Sequence, residues 1–128
     1  NLSPPLNMET KWFAPHVAYT MSKFGMSLCV LGMAGELKNQ GIAVNALWPK
    51  TVIQTAAVQN LLGGDEVMQK ARSPEIMGDA AYTILCKDSG TCTGNYFVDE
   101  DLLQSEGIND FSKYAQVPDN ELMPDFFI

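Results

Sequence analysis

Ala18-Tyr19-Thr20-Met21-Ser22-Lys23 is the stretch whose reading decides the fold. On a helix, residues four apart stand one above the other, so Tyr19 and Lys23 share a face. An ammonium beside a phenol favours phenolate and draws a tyrosine pKa down from its usual ~10. A tyrosine tuned in this way is a general acid/base. The spacing alone is weak, because a Tyr followed four positions later by a Lys also arises by chance as a solvated pair on an ordinary helix. The flanking sequence therefore has to decide.

Downstream, residues 17–39 read as one helix. Phe24, Met26, Leu28, Cys29, Val30, Leu31, Met33, Ala34 and Leu37 leave almost no polar face, which predicts burial on more than one side. One side is expected on a sheet and the other on a second helix or a partner subunit. Gly25, Gly32 and Gly35 predict close backbone approach on the packed faces. Gly41 then suits the left-handed position that ends a helix. Residues 42–48 (Ile-Ala-Val-Asn-Ala-Leu-Trp) form a short apolar run bounded by Gly41 and Pro49, as expected of a parallel strand buried on both faces. Asn45 within it needs polar partners. Residues 50–55 form the loop at that strand's carboxyl end, where open α/β sheets hold their ligands. Short helices are predicted over 56–62, 67–72 and 76–87, a second strand over 95–98, and a helical turn from Asp99 leading to an irregular tail with a break at Gly107.

Upstream, Pro4 and Pro5 close a strand's tail at 1–3. Residues 11–16, with Trp12, Phe13 and Pro15, read as an aromatic loop. It serves either as a hydrophobic staple on the coming helix or as a wall beside a substrate. The aromatic end Phe126-Phe127-Ile128 is expected to cover a neighbouring surface, since a solvated end of this kind would invite aggregation.

The totals exclude several classes. With 128 residues and 46% apolar content, one core is expected. A net charge of −7 and a pI near 4.4 argue against nucleic acid and anionic membrane surfaces as partners. Three cysteines without a short paired spacing, and a single histidine, predict a reduced intracellular setting and no metal. Phe24 to Gly35, the longest uncharged run of the helical stretch, falls short of the ~20 residues of a bilayer span, so no membrane span is expected. No secretory leader is read at the start.

Helix, strand, Pro loop, helices and strand in this order resemble the C-terminal half of a short-chain dehydrogenase/reductase. Tyr19-Thr20-Met21-Ser22-Lys23 matches that family's Tyr-x-x-x-Lys. Ile42-Ala43-Val44-Asn45 followed by Pro49 is similar to its Ile-x-Val-Asn-x-x-x-Pro segment, and residues 93–99 are similar to its Thr-Gly-x-x-x-x-Val-Asp strand. The implied fold class is α/β, the C-terminal half of a doubly wound, Rossmann-like parallel-sheet domain. Ser3-Pro4-Pro5, Trp12-Phe13 and Pro124-Asp125-Phe126-Phe127 look most like family members in which a sterol-carrier-like domain follows the dehydrogenase part.

The resemblance implies an oxidoreductase that moves a hydride between NAD or NADP and a small hydroxyl/carbonyl substrate, lipid-like by the aromatic loop and Trp48. Tyr19 would exchange the proton, while Lys23 would hold the ribose hydroxyls and lower the Tyr19 pKa. Pro49, Val52, Ile53 and Thr55 would edge the nicotinamide, although Lys50 stands where the family has Gly and Thr55 sits one place late. Ser3, sixteen positions before Tyr19, is the candidate for the substrate-orienting serine, whose usual place Pro4 takes by strand register. No Gly-x-x-x-Gly-x-Gly turn occurs in 1–128. The nucleotide-binding half and any sterol-carrier domain are therefore expected to be absent from residues 1–128, and this chain alone is expected to be inactive. The resemblance also implies a homo-oligomer built through helix 17–39 and a peroxisomal or mitochondrial location. A non-catalytic interaction or dimerisation module is the competing expectation.

Overall fold

A computed structural model describes all residues, 1–128. They form two units: Asn1–Trp48 with Ile84–Val98 and Phe127, and Pro49–Thr83 with Asp99–Phe126 and Ile128.

In the first unit, β1 (Ala46–Trp48) pairs in parallel with β2 (Tyr96–Val98), Leu47 standing opposite Phe97. On the other side of β1, Leu2 makes a parallel bridge to Leu47, and Leu47 N donates to Asn1 O at 2.8 Å. The three strand segments read from the sequence are therefore adjacent and parallel, with β1 central and fully buried. The ladder is shorter than 42–48 because side chains take over its start. Val44 N donates to Thr93 Oγ1 at 3.0 Å, and Asn45 Nδ2 donates to Cys92 O at 2.8 Å. Asn45 Oδ1 in turn accepts from Asn95 N and Nδ2 at 3.1 and 2.9 Å. The partners that the half-buried Asn45 carboxamide requires are thus supplied across the sheet.

α2 (Val17–Leu37), continued by a 3-10 turn over Lys38–Gln40 and closed by Gly41 at φ 71°, lies over these strands. Its buried residues are Thr20, Phe24, Ser27, Val30 and Ala34, spaced three or four apart along a single stripe. Burial on two sides is not observed: Val17, Met21, Leu28 and Leu31 are exposed. The glycines also depart from expectation, because a Cβ built on Gly25, Gly32 or Gly35 would meet nothing within 4 Å. They lie against open space rather than at a close approach. By length and composition this helix would be long and apolar enough to cross a membrane, which the charge-free run alone did not suggest. Its buried stripe, Thr20, Phe24, Ser27, Val30 and Ala34, nevertheless packs within the first unit.

The aromatic stretch at 11–16 is not wholly loop. α1 (Thr10–Phe13) forms one helical turn there. The Thr20 hydroxyl donates to Trp12 O, and Phe13 meets the Phe24 ring edge-on at 5.4 Å, so this turn packs as a staple on α2.

In the second unit, the segment after Pro49 is extended rather than free. Thr51 bridges Pro124 antiparallel, and Ile53 bridges Arg72 in parallel. Helical turns follow in sequence. A π-helical turn over Val58–Leu62 ends at Gly63 (φ 147°), and α3 spans Gly64–Gln69 with Asp65 and Glu66 in its first turn. α3 thus begins and ends before the predicted 67–72. α4 (Glu75–Leu85) and α5 (Asp99–Ser105) occupy the predicted places, and Gly107 at φ 89° marks the break after α5.

Candidate active site

Tyr19, Lys23 and Ser3 all belong to the first unit. Tyr19 and Lys23 stand one turn apart on α2. The Lys23 Nζ lies 3.5 Å from Leu2 O, the residue before Ser3, and 5.2 Å from the centroid of the Trp48 ring. The helix pair is thereby brought to the carboxyl ends of the Leu2 segment and of β1, the end at which parallel α/β sheets act.

What fixes this placement is Ser27, four residues beyond Lys23. Its hydroxyl donates to Pro4 O at 2.6 Å, while its carbonyl accepts from Tyr96 Oη at 2.8 Å. Tyr19 is 45% exposed, and its ring stacks on Phe127 with centroids 5.9 Å apart and planes 11° from parallel. Ser3 is fully buried, and its Oγ has no hydrogen-bond partner.

The residues read as the cofactor loop, Pro49, Val52, Ile53 and Thr55, belong to the second unit. Val52 N donates to Met123 O and Val52 O accepts from Arg72 N, both at 2.9 Å. Its N–H is therefore committed within the fold, and the half-buried side chain is what it offers a ligand. Ile53 is buried. Thr55 is exposed, with its Oγ1 accepting from Val58 N at 3.3 Å.

A charge cluster that spacing did not reveal holds this loop. Arg72, 1% exposed, pairs through Nη1 with Glu100 and through Nη2 with Asp119 at 3.0 Å, and lies 5.2 Å from the Phe111 ring. Lys50 Nζ sits 3.0 Å from Glu100 and 3.0 Å from Asp101, and Lys50 N donates to Asp99 Oδ1 at 2.9 Å. As the sole arginine in an acidic chain, Arg72 was the one sequence signal for such a centre. Its acidic partners lie far along the chain and carried none.

Burial opposes ionisation of Glu100, yet Arg72 and Lys50 outweigh it and hold that carboxyl below its usual value. Burial pushes the Asp99 carboxyl up, in spite of the backbone N–H groups of Lys50 and Glu100. The two therefore act with opposite sign. Stability from Glu100 is present above the unfolded carboxylate pKa of ~4.3 and is lost as pH falls through the lower folded value. Asp99 instead costs stability as it ionises.

No family model matches the chain. Over its whole length it is 57% identical to hydroxysteroid dehydrogenase-like protein 2 of Danio rerio and 52% identical to the Homo sapiens protein of that name. It spans 30% of the length of each. Among solved structures, 99% of the chain superimposes on a short-chain dehydrogenase of Mycobacterium thermoresistibile with TM-score 0.86 and 52% identity. A protein described as a dehydrogenase from Xanthomonas campestris gives 0.90 and 43%. The chain covers 45% and 46% of those two chains. In sequence and in backbone it is similar to part of these short-chain dehydrogenase chains. Within that class, the curated relatives it matches carry the hydroxysteroid dehydrogenase-like name.

Replacing Glu100 with Gln leaves Arg72 with a buried, half-paired charge and should cost about 3 kcal/mol at neutral pH. Urea unfolding of wild type and Glu100→Gln across pH tests this: the gap should be widest near pH 7 and shrink as pH falls below about 4. A gap independent of pH would contradict the assignment.

Proposed function

We propose that the intact protein is an NAD- or NADP-dependent oxidoreductase acting on a hydroxyl/carbonyl pair of a lipid-like substrate, with Tyr19 as general acid/base. The observation that carries this reading is the setting of Tyr19 and Lys23: both project from a helix docked on parallel strand segments, with the Lys23 ammonium at Leu2 O beside the carboxyl end of the sheet. The relatives, dehydrogenase-like in name and fold, support the same chemistry.

The nicotinamide, when bound, supplies the hydride acceptor or donor at its C4. As the substrate carbon gives up hydride, Tyr19 takes the hydroxyl proton; in the reverse direction it returns that proton to the carbonyl oxygen. Lys23 has three N–H donors, one directed at Leu2 O, so donors are left for ribose hydroxyls. Ser3, were it to polarise the substrate oxygen, would have to be uncovered from its buried position. In the second unit, of the residues to which the resemblance assigns the nicotinamide edge, Val52 offers a half-buried apolar side chain and Thr55 an exposed hydroxyl, while Ile53 is buried. The half-buried Trp12 and Phe13 favour a substrate with an apolar body.

Turnover of a ketone panel by the intact protein, followed by loss of NADPH absorbance, tests the assignment. Tyr19→Phe should lower kcat at least about a hundredfold with the fold kept, the size expected for losing an acid/base group. Unchanged turnover would refute the role.

The exposed apolar face of α2 favours a second reading, a dimerisation module that pairs with another copy of itself. Leu28 and Leu31 are each 57% exposed on it. Sedimentation of the intact protein should show Leu28→Glu with Leu31→Glu converting a dimer to a monomer. A wild-type monomer would remove this reading.

A further inference from the structure

We propose that Phe127 is a positioning residue for Tyr19, fixing the plane of the phenol ring and closing one of its faces to solvent. The proposal rests on the acid/base role given to Tyr19 above.

Phe127 is 4% exposed in the first unit, although it lies near the end of a mostly exposed tail. Its ring meets Phe24 at 5.1 Å, Trp12 at 5.8 Å and Trp48 at 5.8 Å between centroids. Held between these three, it presents a face to Tyr19, and those two rings are nearly parallel. The Lys23 ammonium lies over the ring of Trp48, so one aromatic cluster touches both members of the Tyr19 and Lys23 pair.

Phe127 also has φ 77°, the one non-glycine residue in the left-handed region. A bulky residue rarely adopts that conformation, and it persists where the surroundings over-determine it. In an ordinary extended backbone the side chain would leave the chain in a different direction. The strained φ and the deep packing therefore describe one constraint, a ring held in place against Tyr19.

For an acid/base group the consequence is geometric. A half-exposed tyrosine on a helix surface can swing about its side-chain bonds, and proton transfer needs its oxygen within hydrogen-bond reach of the reacting oxygen. A stacked neighbour removes that freedom. Misplacing a reacting group by about 1 Å is enough to cost around a hundredfold in rate.

Three readouts on the intact protein test this. In protein labelled with 3-fluorotyrosine, the Tyr19 fluorine signal is assigned by its loss in Tyr19→Phe. Ring-to-ring Overhauser contacts between Tyr19 and Phe127 are expected in unaltered protein, and their absence would overturn the proposal whether or not any variant folds. Phe127→Leu, which keeps an apolar side chain but removes the ring, should shift the Tyr19 fluorine signal toward its solvent-exposed position. It should also lower kcat for phenanthrenequinone reduction with NADPH by about tenfold to a hundredfold, with KM little changed. Phe127→Tyr should restore both. A lower melting temperature for Phe127→Leu with the fluorine signal and kcat per folded molecule unmoved would make Phe127 purely structural and overturn the proposal. If turnover proves independent of Tyr19, the acid/base reading fails, and the fluorine shift and ring contacts still judge the stacking.

Discussion

Ser27 is the contact on which the geometry of the first unit depends. Its hydroxyl is bound by Pro4 O and its carbonyl by the Tyr96 hydroxyl, so one helical residue is tied to the Leu2 segment and to β2. Buried hydrogen bonds contribute about 1 kcal/mol each, so their weight here lies in register more than in stability. Four residues earlier on the same face, Lys23 is thereby set over the carboxyl end of the sheet, and one turn further Tyr19 follows. A helix held only by Phe24, Val30 and Ala34 could slide; a helix held by paired polar atoms has a single seat.

The second unit is held differently. There the extended segment after Pro49 is flanked by Arg72 on one side and the 123–125 segment on the other, through main-chain bonds to Val52, Gln54 and Lys50. Arg72, Glu100, Lys50 and Asp119 form a paired charge cluster around it. Unpaired charge on the buried Arg72 would be costly, so its pairing to Glu100 matters most within the cluster. Its partial imperfection is visible: Thr51 Oγ1, Arg72 Nε and Asp99 Oδ2 are buried without partners.

Much of this was legible in the sequence where a local pattern sufficed. The period of α2, its stop at Gly41 and the apolar runs that contain β1 and β2 gave elements of the right kind in the right order. The need of Asn45 for partners is legible, but a side chain replacing the start of a strand ladder cannot be read from apolar content, so β1 is shorter than its apolar run. The glycines of α2 misled because an absent side chain marks close packing and open space alike. The unbroken apolar surface of α2 shows what a helix can bury: one stripe is covered within the first unit, while Val17, Met21, Leu28 and Leu31 are exposed in the single chain, where a partner subunit is the other expected cover. The Tyr19 and Lys23 pair was legible because it is local. Phe127 was expected to cover some surface, yet its target, Tyr19, lies at the other end of the chain, and no spacing connects them. Arg72 and Glu100 were missed for that reason too.

The proposed function rests on Tyr19 and Lys23 forming a nucleotide-facing acid/base pair. A crystal structure of the intact protein with NADP or NAD bound tests it most directly. Lys23 Nζ is expected within hydrogen-bond distance of the nicotinamide ribose hydroxyls, and the Tyr19 hydroxyl beside the nicotinamide C4 with its ring stacked on Phe127. A dinucleotide bound away from α2, or contacting neither side chain, would contradict it.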